Sequence, residues 1–95
     1  MYINLLTETE TVLKGYGKSL DDIIWFGTEA EEFSNNLVEF LNKHYDAGFG
    51  GQEISPDLVL VGKDFWLERH EYDGSEWWEY KQYPKRPTKL IAGKL

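Results

Sequence analysis

Four glutamates flank one Asp73-Gly74 pair, and paired carboxylates are the groups with which glycosidases donate and accept protons. They are Glu68, Glu71, Glu76 and Glu79. A catalytic carboxylate needs burial or a nearby charge to shift its pKa, and a chain of 95 residues leaves little room for a substrate cleft. Solvated glutamates on a hairpin are therefore the favoured interpretation, and we assign no catalytic residue.

A looser pattern of two acids and a lysine matches the motif of a magnesium-dependent nuclease. It consists of Pro56-Asp57 followed by Glu79-Tyr80-Lys81, in which the acids would ligate the metal and the lysine would stabilise developing charge. Acidic chains meet so short a motif often by chance, and it stays an alternative. His44 and His70 do not have the spacing of metal ligands, so we assign no metal site and no cofactor.

Aromatic residues are concentrated around the same Asp-Gly pair. Residues 64–83 contain three of the four tryptophans, and Asp-Gly between two such segments strongly predicts a β-hairpin. A two-residue turn would place Phe65, Leu67, Trp78 and Tyr80 on one face and Trp66, His70, Tyr72 and Trp77 on the other. Either face then carries large rings, and rings left at a surface are typical of a binding site.

The register of this hairpin stays open at the level of sequence. The two-residue turn sets Glu71 against Glu76 and Glu68 against Glu79, and like charges directly opposed destabilise a ladder. A three-residue turn with a bulge at Gly74 would give better pairs, because ring packing and cation–π contact support them. Those pairs are Trp66 with Tyr80, Arg69 with Trp77 and His70 with Glu76.

Two segments have the apolar spacing of helices. The first covers residues 5–16 and is stopped by two glycines. The second begins after Thr28 or after Ser34, which are equally good caps, and its apolar stripe continues to about residue 45. The glycine-rich residues 48–51 then form a turn, because no Gly-Lys-Ser/Thr follows to make a phosphate-binding loop.

Residues 23–26 and 58–61 have the composition of short strands, and the hairpin supplies two longer ones. The order of elements is therefore α-β-α-β-β-β. We predict an α+β fold, an antiparallel meander of three to four strands with two helices packed on one face. Residues 1–87 would form a single domain and residues 88–95 a basic, flexible tail.

Charge is distributed unevenly along the chain. Residues 1–80 hold all 17 acids and five of the ten basic residues, a formal charge of −12, whereas residues 81–95 hold five basic residues and no acid. A negative body repels phosphates and is steered toward basic surfaces. Direct nucleic-acid binding is therefore not expected, despite the rings. Solubility alone explains the acidity about equally well.

The composition also predicts a compartment. Cysteine is absent, so neither disulfides nor thiolate zinc sites are expected. The first residues lack the basic and apolar regions of a signal peptide, and no apolar run approaches the length of a membrane helix. We expect a cytoplasmic protein that does not contact the membrane.

Several motifs in the second half of the chain carry a family resemblance. They are Tyr45-Asp46 with the glycines that follow, Asp57-Leu-Val-Leu-Val-Gly62, the string from Phe65 to Glu79, and Pro84-Lys-Arg-Pro87. Residues 46–87 thereby resemble a family of short, uncharacterised proteins of Gram-positive bacteria and their phages and prophages. The resemblance implies a phage setting, in which small acidic proteins are often counter-defence factors. Several inhibitors of CRISPR nucleases are acidic domains of this size that occupy a nucleic-acid channel.

We therefore predict a non-enzymatic protein-binding module, an inhibitor that places carboxylates where a basic, nucleic-acid-handling host protein binds phosphates. A CRISPR nuclease is the concrete example of such a partner. The predicted partner-binding residues are Asp21, Asp22, Glu29, Glu31, Glu32, Trp66, Glu68, His70, Glu71, Tyr72, Glu76 and Trp77. Two alternatives stay open: an accessory or structural phage protein that forms a homodimer through the aromatic hairpin, and the small nuclease.

Overall fold

The computed structural model describes residues 2–48 and 51–95. Within them the helices are α1 (Leu5–Gly15) and α2 (Leu37–Leu41), with a short 3₁₀ turn at Leu20–Asp22. The strands are β1 (Tyr2–Asn4), β2 (Trp25–Gly27), β3 (His44–Asp46), β4 (Val59–Val61), β5 (Phe65–Tyr72) and β6 (Ser75–Gln82). Phe49 and Gly50, in the predicted glycine turn, lie outside the described residues.

The α+β class is confirmed, with a four-stranded antiparallel sheet in the order β2-β4-β5-β6. Strands β4, β5 and β6 form the predicted meander, and β2 joins it beside β4. The prediction missed a second sheet of two strands, in which β1 pairs with β3. Each of these strands is three residues long, too short to show the alternation of a strand.

Helix α1 forms where the apolar spacing predicts it. The Asn4 side chain accepts a hydrogen bond from the Thr7 N–H at 3.0 Å and caps the first turn. Gly17 adopts a φ of 71°, and the N–H of Lys18 reaches back to the Leu13 carbonyl at 2.9 Å. A residue with positive φ after the last turn is the usual helix stop, and glycine adopts it without strain.

Helix α2 is shorter than predicted, and its start was placed wrongly. Asn36, rather than Thr28 or Ser34, caps it by accepting the Glu39 N–H at 3.1 Å. The helix ends at Leu41, and Tyr45 lies in β3 opposite Ile3. Tyr45 continues the apolar stripe beyond the helix because its side chain is buried in the core although it belongs to β3. The apolar periodicity alone therefore did not show where α2 ends.

The hairpin between β5 and β6 has a two-residue turn. Asp73 and Gly74 both have positive φ, 52° and 85°, which defines a type I′ turn and matches the twist of the strands. His70 consequently faces Trp77, as one of the two predicted registers required. The bulged register, with its better side-chain pairs, is wrong, because the turn adopts the backbone conformation that Asp-Gly favours.

Both helices pack on the same face of the four-stranded sheet. Phe26, Leu60 and Leu67 are directly opposed across β2, β4 and β5 and therefore share that face. The Phe26 ring lies 5.1 Å from that of Phe40 in α2. On the same face, toward the β6 edge, the Trp78 indole N–H donates to Thr9 Oγ1 of α1 at 2.8 Å. No helix within the described residues covers the opposite face.

Candidate protein-binding face

The uncovered face of the large sheet is the candidate site, and we call it the outer sheet face. Trp25, Val61 and Trp66 stand directly opposite one another on β2, β4 and β5. Side chains alternate along each strand, so this row and the positions two residues away point outward together. The outer sheet face comprises Trp25, Val59, Val61, Trp66, Glu68, His70, Tyr72, Trp77, Glu79 and Lys81.

Large rings on this face are in contact with solvent. The exposed fractions are 77% for Tyr72, 37% for Trp25 and 36% for Trp77. Trp66 is half-buried, and its ring lies 5.3 Å from that of Tyr83 just beyond β6. Indole groups bury large apolar areas and keep a polar N–H, so an exposed cluster of them on a rigid sheet is suited to bind another surface.

Each outward tryptophan of the hairpin binds the carboxylate two residues further along its strand. Trp66 Nε1 donates to Glu68 Oε1 at 2.7 Å, and Trp77 Nε1 donates to Glu79 Oε2 at 3.3 Å. These bonds are the main reason why the pKa values of both glutamates are lowered. The indoles therefore hold two negative charges in place between the rings.

His70 lies between these two carboxylates, which face each other across β5 and β6. Its Nε2 is 2.6 Å from Glu68 Oε2, and its Nδ1 is 3.6 Å from Glu79 Oε2. Lys81 Nζ lies 3.3 Å from Glu79 Oε1. The electrostatic cost predicted for the Glu68–Glu79 pair is thus offset by the donors around it.

Glu76 was predicted to face a partner, and this expectation is wrong because its side chain is fully buried. Its Oε1 accepts from Arg69 Nη2 at 2.9 Å. Its two oxygens also accept the backbone N–H groups of Glu53 at 2.6 Å and Ile54 at 3.2 Å. A buried carboxylate needs such partners. Glu76 therefore fixes the segment before β4 to the hairpin and does not meet solvent.

Arg69 is the centre of a buried polar network on the helix-covered face. Its Nη2 donates to the Tyr45 hydroxyl at 3.0 Å, and its Nη1 lies 3.4 Å from Glu8 Oε2. The Tyr45 hydroxyl donates to the other Glu8 oxygen. Burial and this bond to Glu8 raise the pKa of Tyr45, so its hydroxyl stays protonated. The network joins α1 and β3 to the hairpin.

The remaining predicted acids lie apart from the hairpin. Asp21, Asp22, Glu29, Glu31 and Glu32 are exposed and lie before and after β2, at the opposite edge of the sheet from β6. Three strand spacings separate these edges, about 14 Å. The structure therefore divides the predicted partner-binding set into an acidic edge and an aromatic face.

Glu71 differs from its ladder partner Glu76. Its side chain is exposed at the end of β5, where its carboxylate accepts the Gly74 N–H at 2.9 Å. It belongs to the turn and contributes negative charge beside Tyr72.

The acids of the nuclease motif are not brought together. Asp57 accepts from Ser55 Oγ at 2.6 Å and from the Glu29 N–H at 3.2 Å, and these bonds lower its pKa. It precedes β4, whereas Glu79 lies on β6, and β5 runs between them, a separation of about 10 Å or more. Across residues 2–48 and 51–95 no group of three or more potential metal ligands is assembled.

Sequence reasoning missed Trp25, Val59 and Val61 as members of the site. The segments 23–26 and 58–61 were predicted as strands, but their position beside the hairpin was not. Because directly opposed residues share a face, Trp25 joins Trp66 only through β4. Ile24, Trp25 and Phe26 are all apolar, so this segment has no alternation that would tell which side chain faces outward.

Fold and site together define a small α+β protein whose sheet has one aromatic face open to solvent. No family model matches the chain, and no curated protein or solved structure is significantly similar to it. The resemblance drawn from the hairpin string stays a prediction. Within the described residues, no helix combines the length and the apolar character needed to cross a bilayer.

Proposed function

We propose that this protein is a non-enzymatic, protein-binding inhibitor, encoded by a phage or prophage and acting in the host cytosol. Its partner would be a basic protein that handles nucleic acid, with a CRISPR nuclease as the concrete case. The observation that supports the proposal is the outer sheet face, where exposed tryptophans stand beside carboxylates on a rigid four-stranded sheet.

The contact chemistry of this face suits cationic side chains. Arginine stacks on indole rings and pairs with carboxylates through its planar guanidinium. Trp66 with Glu68, and Trp77 with Glu79, each offer a ring and a carboxylate joined by a hydrogen bond. Aromatic anchors dominate binding energy in many interfaces, and here they are held by the sheet and lose little freedom on binding.

The acidic edge supplies long-range attraction and competes with phosphate. Residues 1–80 carry a formal charge of −12, and the five exposed acids that lie before and after β2 contribute to it. Charge of this kind raises association rates and is screened by salt. Inhibition would follow because the acids occupy the positive channel that the nucleic acid needs.

The test is DNA cleavage by a purified Cas9-type nuclease with its guide RNA, measured with increasing amounts of this protein at 50 mM and 300 mM salt. We expect inhibition that weakens at the higher salt. Trp25→Ala and Trp66→Ala should each weaken it about 30-fold, the loss typical of an anchor residue. Tyr2→Ala is the matched control, because Tyr2 is an exposed ring on β1, outside the outer sheet face.

Asp21→Asn with Asp22→Asn should slow association and reduce the salt dependence while leaving the dissociation rate nearly unchanged. Surface plasmon resonance against the immobilised nuclease separates the two rates. Inhibition that persists in both tryptophan variants, or that does not respond to salt, would remove the proposed mechanism. Failure to inhibit any nuclease of this class would reject the partner class.

A further inference from the structure

Strand β6 is an open edge of the large sheet. It is eight residues long and stands last in the order β2-β4-β5-β6. Along an antiparallel strand, the backbone N–H and C=O groups of successive residues point alternately toward and away from the neighbouring strand. The Tyr83 N–H points toward the β5 side, where it donates to the Asp64 carbonyl at 3.2 Å. Odd-numbered residues of β6 therefore bond to β5. The backbone groups of Trp78, Tyr80 and Gln82 point away from it.

This edge lacks two of the features that usually prevent pairing, a proline and a bulge. Residues 75–82 contain no proline, and their ladder with β5 runs without a bulge. Among the β6 residues whose backbone groups point away from β5, Glu76 is the one whose N–H has a partner in the described part of the chain, the Ala47 carbonyl at 3.2 Å. An edge of this length with free donors and acceptors is a template for another strand.

We propose that a second copy of this chain pairs with β6 through its own β6, antiparallel, with the twofold axis at Tyr80. The two sheets then form one sheet of eight strands. The proposal does not depend on the proposed function. It differs from a dimer through the aromatic face because the contact runs along the edge of the sheet and leaves the tryptophans of the outer sheet face uncovered.

Charge selects this register among the symmetric ones. With the axis at Tyr80, Glu79 faces Lys81 of the second copy, and the symmetry repeats the pair. An axis at Glu79 would oppose two glutamates, and an axis at Lys81 would oppose two lysines. An axis at Trp78 forms no cross-strand pair of opposite charges. Opposite charges directly across a ladder stabilise it, and like charges destabilise it.

A groove between α1 and β6 provides room for the second copy. It has a volume of about 380 Å³ and is lined by Val12, Gly15 and Tyr16 from the helix and by Tyr80 from the strand, among others. Gly15 has no side chain to narrow it, and Tyr16 is 57% exposed. The twofold axis at Tyr80 brings the two grooves together, so apolar surface beside the edge is covered along with the backbone.

Sedimentation velocity over a range of concentrations tests the dimer. Glu79→Lys and Lys81→Glu each place like charges opposite one another twice, and each should raise the dimer dissociation constant about tenfold to a hundredfold. An equimolar mixture of the two variants should restore dimers, because every introduced charge then faces an opposite charge on the other chain. Both variants lose the intrachain Glu79–Lys81 contact, so that loss cannot explain the rescue.

Glu71→Lys is the control, because Glu71 lies on β5, away from the edge, and should leave the dimer intact. A wild-type protein that stays monomeric at millimolar concentration overturns the proposal. So does a dimer that neither variant weakens, or one that the mixture fails to restore, since its contact then lies elsewhere. Binding of a different protein's strand at this edge would appear as a heteromeric species while the pure chain stays monomeric, and it too overturns the self-pairing.

Discussion

Replacing Glu76 by glutamine removes the negative half of a buried ion pair while keeping the shape of the side chain. The carboxylate accepts three hydrogen bonds, from Arg69 and from the N–H groups of Glu53 and Ile54. The amide has one oxygen acceptor in place of two and turns an NH₂ group toward a donor. Arg69 keeps Glu8 at 3.4 Å, so its charge is not left wholly unpaired.

Breaking a buried pair by removing one partner costs about 3–5 kcal/mol. Because Glu8 remains near Arg69, we expect a value at the lower end, about 3 kcal/mol, for Glu76→Gln. A domain of this size has a total stability of about 5–15 kcal/mol, so the midpoint of urea unfolding should fall markedly. Tryptophan fluorescence reports the transition, since the Arg69 guanidinium lies 4.7 Å from the centroid of the buried Trp78 ring.

Glu71→Gln is the matched control, because Glu71 is the ladder partner of Glu76 and its side chain is in solvent. It should change the free energy of unfolding by no more than about 0.5 kcal/mol. The double variant Arg69→Met/Glu76→Gln should cost less than the sum of its single changes, since both charges leave together. A loss below about 1 kcal/mol for Glu76→Gln would refute the assignment of a buried, paired carboxylate.

Two further predictions concern the end of α1 and the outer sheet face. Gly15→Ala should stabilise the protein by about 0.5–1 kcal/mol, because a methyl group there meets no atom within 4 Å. Gly17→Ala should destabilise it by about 1 kcal/mol, because Gly17 has a φ of 71°. Urea midpoints equal to that of the wild-type protein would contradict both predictions. Glu68 and Glu79 have lowered pKa values in the folded protein, so their stabilisation is present above the unfolded pKa of about 4.3 and is lost as the pH falls through the folded values. Glu68→Gln/Glu79→Gln should therefore flatten the fall in unfolding free energy between pH 5 and pH 3, and a variant with the wild-type slope would show that these carboxylates are not specifically stabilised.

Local sequence determined the elements whose signals are short-range. The Asp73-Gly74 pair specified the hairpin because few residue pairs adopt positive φ at both positions. Helix α1 followed from apolar spacing and the glycine after its last turn. Each of these features depends on residues that are close together in the sequence, so the sequence alone is enough to predict it.

Tertiary structure decided which side chains reach a partner. Glu68 and Glu76 both read as surface glutamates on a hairpin, yet Glu68 stays on the open face and Glu76 is buried against Arg69. The difference follows from the side of the sheet on which the helices pack, and no short-range pattern specifies that side. Trp25 likewise joins the hairpin tryptophans only because β4 lies between β2 and β5, a long-range pairing set by the packing of the whole core.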